Sequence, residues 1–386
     1  MKIHQQPNDS DSAPKFEPKR KTKAFSMIEL MISMTILAAM LLMFVGVLDQ
    51  TQKSWEIAQG QISQFRESRV AFDIITKNLS QATLNAYYDQ VDVDPPDGIP
   101  ERFEIASELH FKTFQAKDLK VGGHKPGHTV FFQAPLGVTD NREYSTLPNL
   151  LNARAYYIQF NTDRDYRPQF LATYKIPERY RYRLMEWIPP TEQNRIYSDG
   201  AQETDGENYN PLDPKFQDWF EKDLEAYSRP LAENVVALIF SPREPVADSL
   251  AAANPAKADR ESFRRIARNY DFDSEDPDNP NFRHLLPPLV KVTLVAIDEV
   301  SALRYEEVYG GEASSTPYLQ THMTGSWMTS ADDYASDLKE LTDSFNDDTA
   351  NTAGVKVRYK VFSTSVAIVG SKWSPNGEDT NAGTNP

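Results

Sequence analysis

Glu29 is the only charged residue between Phe25 and Leu48. A carboxylate set in an apolar helix usually has a partner or a purpose. It can accept an amine or a cation, or it can reach back to the water interface. Other reactive residue types are scattered. His124 and His128 lie four apart in Gly122-Gly123-His124-Lys125-Pro126-Gly127-His128. That spacing chelates a metal on a helix, but these Gly and Pro residues predict a turn, so no metal site is assigned. Asp89, Asp92, Asp94 and Asp97 form one acidic loop; Asp271, Asp273, Glu275, Asp276 and Asp278 form another. Calcium takes such oxygens. Neither loop has the EF-hand spacing with its Gly and terminal Glu, so a solvated loop is the simpler account. There is no nucleophile elbow, P-loop or dinucleotide fingerprint. No catalytic residue and no cofactor are assigned. The absence of Cys excludes disulfides, thiolate nucleophiles and Cys-based metal sites.

The element that must position Glu29 is the run from Phe25 to Leu48. As a helix its 24 residues reach about 36 Å, enough for a hydrocarbon core of roughly 30 Å. Lys19, Arg20, Lys21 and Lys23 precede it and Asp49 follows. The basic flank predicts a cytoplasmic N-terminus, with the bulk of the chain on the other side of the membrane. An ordinary secretory signal has a shorter apolar core and a small-residue cleavage site after it. Val45-Gly46-Val47-Leu48-Asp49-Gln50 is a poor site of that kind. A plain signal anchor fits the hydropathy but accounts neither for Glu29 nor for the Lys23-Ala24-Phe25 junction.

The order Lys19-Arg20-Lys21-Thr22-Lys23-Ala24, Phe25-Ser26-Met27-Ile28-Glu29-Leu30, then an apolar run, resembles the class III signal of type IV pilins and type II secretion pseudopilins. The resemblance implies cleavage after Ala24 by prepilin peptidase and N-methylation of Phe25. Glu29 then becomes the fifth residue of the mature chain, one helical turn from a free amine. In that family this Glu is thought to pair with the amine of a neighbouring subunit. The family usually has Gly before the cut, where this chain has Ala24. The leader of 24 residues is also long for the family.

Helical periodicity continues beyond the span. Ile62, Phe65, Phe72, Ile75 and Leu79 form one apolar stripe, and no Pro occurs between the span and Pro95. One helix from about Phe25 to Ala86 is predicted, first transmembrane (25–48) and then amphipathic (49–86). Strands are predicted over Leu109–Phe114, Thr129–Phe132, Ala155–Phe160, Val235–Phe240, Leu289–Ile297 and Val355–Val369. Phe170–Ile176 is predicted to pair with Tyr180–Leu184 around Pro177. The stretch from Arg69 to Ala82, the Leu231-Ala232-Glu233-Asn234-Val235 strand entry, the Pro287–Val292 strand and a last strand ending near Trp373 resemble the minor pseudopilin J group. Chain length, the Ala-Phe-Ser junction and the polar tail resemble the Verru_Chthon cassette protein C subgroup.

The expected fold class is α+β and pilin-like: a long N-terminal helix packed on an antiparallel β-sheet domain spanning 87–386, with large insertions. The first insertion (191–230) carries a short helix with Phe216, Trp219, Phe220, Leu224 and Tyr227. The second (241–286) has a basic patch of Arg260, Arg264, Arg265 and Arg268. The third (310–353) has a helical stripe of Tyr334, Leu338, Leu341 and Phe345. Net charge is −15, and the leader 1–24 carries six basic and three acidic residues, leaving the mature chain near −18. Such a surface repels nucleic acid.

Two functional classes stand on this reading. In one, the chain is a non-enzymatic, single-pass inner-membrane subunit with a periplasmic domain. It is processed by prepilin peptidase and packs through its N-terminal helix with other pilin-like subunits. In the other, it is a membrane-anchored periplasmic binding or adhesin domain that never polymerises.

Overall fold

The computed structural model describes residues 26–91, 102–194, 220, 223–243, 266–267, 269–276, 283–309, 327–346 and 357–372. The elements in chain order are α1 (Met27–Ser80), β1 (Tyr87–Val91), β2 (Arg102–Ala106), β3 (Lys112–Gln115), β4 (His128–Pro135), β5 (Leu151–Thr162) and α2 (Gln169–Thr173). There follow β6 (Tyr180–Trp187), α3 (Leu224–Tyr227), β7 (Ser228–Glu233), β8 (Val235–Arg243), β9 (Phe272–Asp273), β10 (Leu289–Ile297), α4 (Glu299–Tyr309), α5 (Tyr334–Asn346) and β11 (Tyr359–Ala367). The chain divides into two units, 1–57 and 58–386.

Within 58–386, antiparallel strands form a six-stranded sheet in the order β7-β6-β5-β4-β3-β9 and a three-stranded sheet β11-β10-β8. A separate two-stranded ribbon pairs β1 with β2. The six-stranded sheet is covered on both faces, and side-chain alternation explains how. Val130 and Phe132 on β4, and Tyr156 and Ile158 on β5, enter one cluster with α1, β8 and β10. Their neighbours Phe131, Ala155 and Tyr157 enter a second cluster with Met185, Trp187, Phe220 and Leu224. Two buried faces turn the expected alternation into the continuous apolar runs read at 129–132 and 155–160.

Of the predicted stripe of α1, Phe72, Ile75 and Leu79 are buried and Phe65 is partly buried. Ala71 is buried too, and the Phe72 and Phe362 rings lie 5.9 Å apart. Polar groups fix the helix as well. Asn78 donates to the Tyr156 hydroxyl (2.8 Å), which donates to Glu186 (2.8 Å), itself paired with Arg154 at 2.6 Å. Glu67 accepts from the Glu233 backbone N–H at 3.2 Å. The buried Arg181 joins β6 to α4 through Glu306 at 2.6 Å and Glu299 at 3.2 Å, and Arg183 reaches Glu233 at 3.0 Å. α5 is held on β10 by a hydrogen bond between the Tyr334 hydroxyl and Thr293 at 2.8 Å, with Lys291 4.2 Å from the Tyr334 ring centre.

Four expectations change. The helix ends at Ser80, not near Ala86, because tertiary hydrogen bonds compete for its last turn. Val369 donates to Ser80 O at 3.0 Å and Thr83 donates to Gln133 O at 2.9 Å. The strand expected from Leu109 starts at Lys112. Side chains replace the ladder before it: His110 N–H goes to Gln133 Oε1 and Phe111 N–H to Ser274 Oγ, both at 2.9 Å. The expected hairpin of 170–176 with 180–184 does not form. Gln169–Thr173 is a short helix following Pro168, while β6 pairs with β5 and β7. The strand entry at Leu231–Val235 is two strands joined at Asn234, which takes a positive φ of 57°.

The third insertion carries the predicted helix α5, with Tyr334, Leu341 and Phe345 buried. Ile62 (as a side chain), Phe216, Trp219, the four arginines of the second insertion and Trp373 lie outside the described residues. Helix α4 was not read from the sequence. Its signal is Asp298, whose carboxylate accepts from Ser301 N–H at 2.9 Å as an N-cap.

Leu79 is fully buried while Val70, on the same helix, is half exposed. Leu79→Ala is expected to cost about 2–5 kcal/mol, and Val70→Ala to stay within about 0.5 kcal/mol. Urea unfolding of the detergent-solubilised full chain checks both. Equal effects would refute the packed stripe.

Candidate membrane anchor and assembly site

The first part of α1 is built from residues with low helix-breaking content and no internal Pro. Ser26 O opens its ladder, accepting Glu29 N–H at 3.0 Å and Leu30 N–H at 3.2 Å. Glu29 thus sits in the first turn, where the positive end of the helix dipole favours a carboxylate. Hydroxyl groups along this part return to the helix backbone. Ser33 donates to Glu29 O (2.7 Å), Thr35 to Ile32 O (2.8 Å) and Thr51 to Val47 O (2.7 Å). Satisfied in this way, they do not burden an apolar medium.

The segment Met27–Trp55, 29 residues with an 18-residue stretch of mean hydropathy 2.5, is long and apolar enough to cross a membrane. At about 1.5 Å per residue it spans roughly 43 Å, more than the hydrocarbon layer. Every side chain from 26 to 55 is exposed. Apolar surface on this scale calls for lipid or another helix around it. The far end changes character: Asp49 pairs with Lys53 at 2.8 Å, and Trp55 is a residue type favoured at the membrane–water interface. Lys19, Arg20, Lys21, Lys23, Ala24 and Phe25 lie outside the described residues, so only Glu29 of the sequence-derived set has a place in the fold.

Comparison with protein families adds an independent finding. Residues 19–45 match the family model of the prokaryotic N-terminal methylation motif. The match supports a type IV pilin-like class III signal. It covers the basic patch, the Ala24-Phe25 junction, Glu29 and most of the span, and it supports processing by prepilin peptidase and membrane anchoring. No curated protein and no solved structure matches the chain significantly.

The other candidate chemistry resolves into structure. Gly127 has φ +77° and lies so close to the Leu238 carbonyl that a side chain there would collide. That turn separates the two imidazoles. His124 Nδ1 hydrogen-bonds the Tyr182 hydroxyl at 2.8 Å, and His128 Nε2 donates to Met328 O at 3.0 Å. Burial lowers both to about 4, aided at His124 by the charge of Lys125 and opposed at His128 by the bond to Met328 O.

In the second acidic loop, Asp273 is engaged by His110 and by Lys112 at 2.9 Å, and Glu275 lies 3.3 Å from His284. Burial alone would raise the Asp273 carboxyl, but its hydrogen bond to His110 and the charges of His110 and Lys112 hold it well below the usual range. These contacts bind the edge strand β9 to β3. Sequence reading missed the His110–Asp273 pair because its members are 163 residues apart. Of the first acidic loop, Asp89 lies exposed on β1, and Asp92, Asp94 and Asp97 are outside the described residues. No group of three or more His, Asp or Glu side chains suited to a metal occurs among the described residues.

The lowered His128 value has a defined sign. The unfolded imidazole takes up its proton near pH 6.5, and the folded one resists until about 4. Stability is therefore full above about pH 6.5 and falls as pH drops towards 4. For a buried group this displacement corresponds to roughly 3 kcal/mol. Urea midpoints measured from pH 7.5 to 4.5 should decline. His128→Gln should be less stable at pH 7.5 and lose less over the same range. Parallel pH curves for the two proteins would refute this role.

Proposed function

We propose that the chain is a non-enzymatic, minor-pseudopilin-like subunit. In this reading prepilin peptidase cleaves between Ala24 and Phe25 and methylates the new amine of Phe25. Lys19, Arg20, Lys21 and Lys23 hold the leader at the cytoplasmic face of the inner membrane, and residues 87–386 form the periplasmic domain. The observation that carries the reading is one coincidence. The methylation motif ends in an exposed apolar helix whose first turn bears Glu29.

The mechanism is assembly. In hydrocarbon, a lone carboxylate and a lone ammonium are each costly; brought together they offset much of that cost. A subunit sliding in the membrane is therefore captured where its Glu29 meets the amine of a neighbour's Phe25. The apolar helices then pack side by side, and each addition moves the assembly outward. The finer assignment is to a type II secretion or type IV pilus-like filament. It is supported by the resemblance of the J-like segments, two of which fall on α1 and β10.

Two outcomes test this. Mass spectrometry of the membrane-extracted protein from its native host should find a chain beginning at N-methylated Phe25. A chain retaining residues 19–24 in cells with active prepilin peptidase would overturn the proposal. Glu29→Leu should leave cleavage intact and lower helix-to-helix assembly by about a hundredfold to several-thousandfold, since losing one member of a buried ion pair costs roughly 3–5 kcal/mol. Undiminished cross-linking between neighbouring helices in that variant would remove Glu29 from the mechanism.

A further inference from the structure

The excursion between β5 and β6, residues 163–179, holds its own shape while turning its apolar side chains outward. Its neck is closed by Asp163 N–H to Arg179 O at 3.1 Å and Arg179 N–H to Asp163 Oδ1 at 3.0 Å. Glu178 accepts from Thr162 and from Arg164, both at 2.7 Å. The Arg167 guanidinium donates to the carbonyls of Ile176 (3.0 Å) and Pro177 (3.1 Å), and Ile176 N–H closes onto Leu171 O at 3.0 Å. At the tip Lys175 takes φ +55°, a left-handed conformation that is strained for a side-chain-bearing residue. Such strain persists where surrounding contacts over-determine it.

The residues this framework displays are unusual for a surface. Phe170 is 57 % exposed, Tyr174 77 %, Ile176 46 % and Tyr166 39 %. Ordered aromatics lose little further freedom on binding, and Tyr is prominent among residues that carry interface energy. Together they offer on the order of 400 Å², about half of the ~800 Å² per partner in a stable interface. The contact is therefore weak alone and needs a second attachment.

Charge indicates the partner. Of the excursion's four basic residues, Arg164, Arg167 and Arg179 already face Glu178, Asp163 and Glu299, whereas Lys175, exposed at the tip, has no ion pair among the described residues in a chain of net charge −15. The opposite arrangement occurs at 331–346, where Asp332, Asp333, Asp337, Glu340 and Asp343 face a single Lys339. Asp333 and Glu340 are exposed there. The Asp337 carboxyl is pushed up chiefly by burial, against the hydrogen bond it accepts from Met328 N–H, with smaller contributions from the charges of Asp333 and Glu340.

We infer that the 163–179 excursion docks on the acidic 331–346 face of a second copy of this chain. This deepens the subunit reading and rests on it for one thing: copies sharing a membrane supply the second attachment, because co-anchoring raises effective concentration. Knob and acceptor are different patches, so the contact is heterologous and can propagate from copy to copy.

The test uses the full chain in its native membrane, in two epitope-tagged forms, with the photo-crosslinker p-benzoylphenylalanine in place of Tyr174. A covalent dimer carrying both tags is expected, joined to a peptide within 331–346. Lys175→Glu should cut its yield about fivefold, as for loss of one exposed ion pair, and Glu340→Lys in the other copy should restore it. No dimer, a link only to lipid or to a different protein, or a dimer joined elsewhere would overturn the inference. The same photo-crosslinker at Leu41 separates the two readings. A Leu41 dimer without a Tyr174 dimer rejects the knob alone. A Tyr174 dimer without a Leu41 dimer rejects helix-mediated assembly and leaves the knob. Absence of both rejects both.

Discussion

The first part of α1, Met27–Trp55, whose apolar side chains are exposed among the described residues, sets the main constraint on this protein. Its side chains cannot rest in water, so lipid or other helices must surround them. That requirement fixes the chain to a membrane and makes the environment of Glu29 the decisive electrostatic question. Water would solvate the carboxylate without difficulty; hydrocarbon demands a partner. Basic residues precede the apolar run and a charged pair, Asp49 and Lys53, follows it.

The second part of the same helix meets a different solvent. From Ala58 onward it belongs to the body, and there the apolar surface narrows to a stripe that a sheet can cover. Packing supplies the bulk of this attachment, while Glu67 and Asn78 fix its register through single hydrogen bonds. Buried Arg181 and Arg183 are tolerable only because glutamates from α4 and β7 reach them. They tie parts of the chain far apart in sequence to one strand. Removing a partner would strand a cation in the interior, so the network enforces one arrangement of helix and sheet more than it adds stability.

The excursion at 163–179 shows what pattern reading misses. Phe170, Leu171, Tyr174 and Ile176 have the composition of a strand, and Pro177 suggests the turn of a hairpin. The neighbouring strand β6 already has β5 and β7 on its two sides, so no edge is left for them. The residues fold instead into a short helix and turn, held by Arg167. A similar limit applies to His110 and Asp273, whose partnership depends on β9 reaching the edge of β3.

The sequence by itself determined the membrane span, the charge asymmetry at its start, the isolated carboxylate, the stripe of α1 and the strongest strands. These are local properties: hydropathy, charge and periodicity act over a few residues and are written in order along the chain. Tertiary structure decided where α1 stops, that the hairpin at 170–184 does not form, that the six-stranded sheet is buried on both faces, and which buried arginines meet which glutamates. These outcomes depend on competition among segments up to 163 residues apart for the same hydrogen bonds and the same apolar surface. A local pattern does not record which competitor wins.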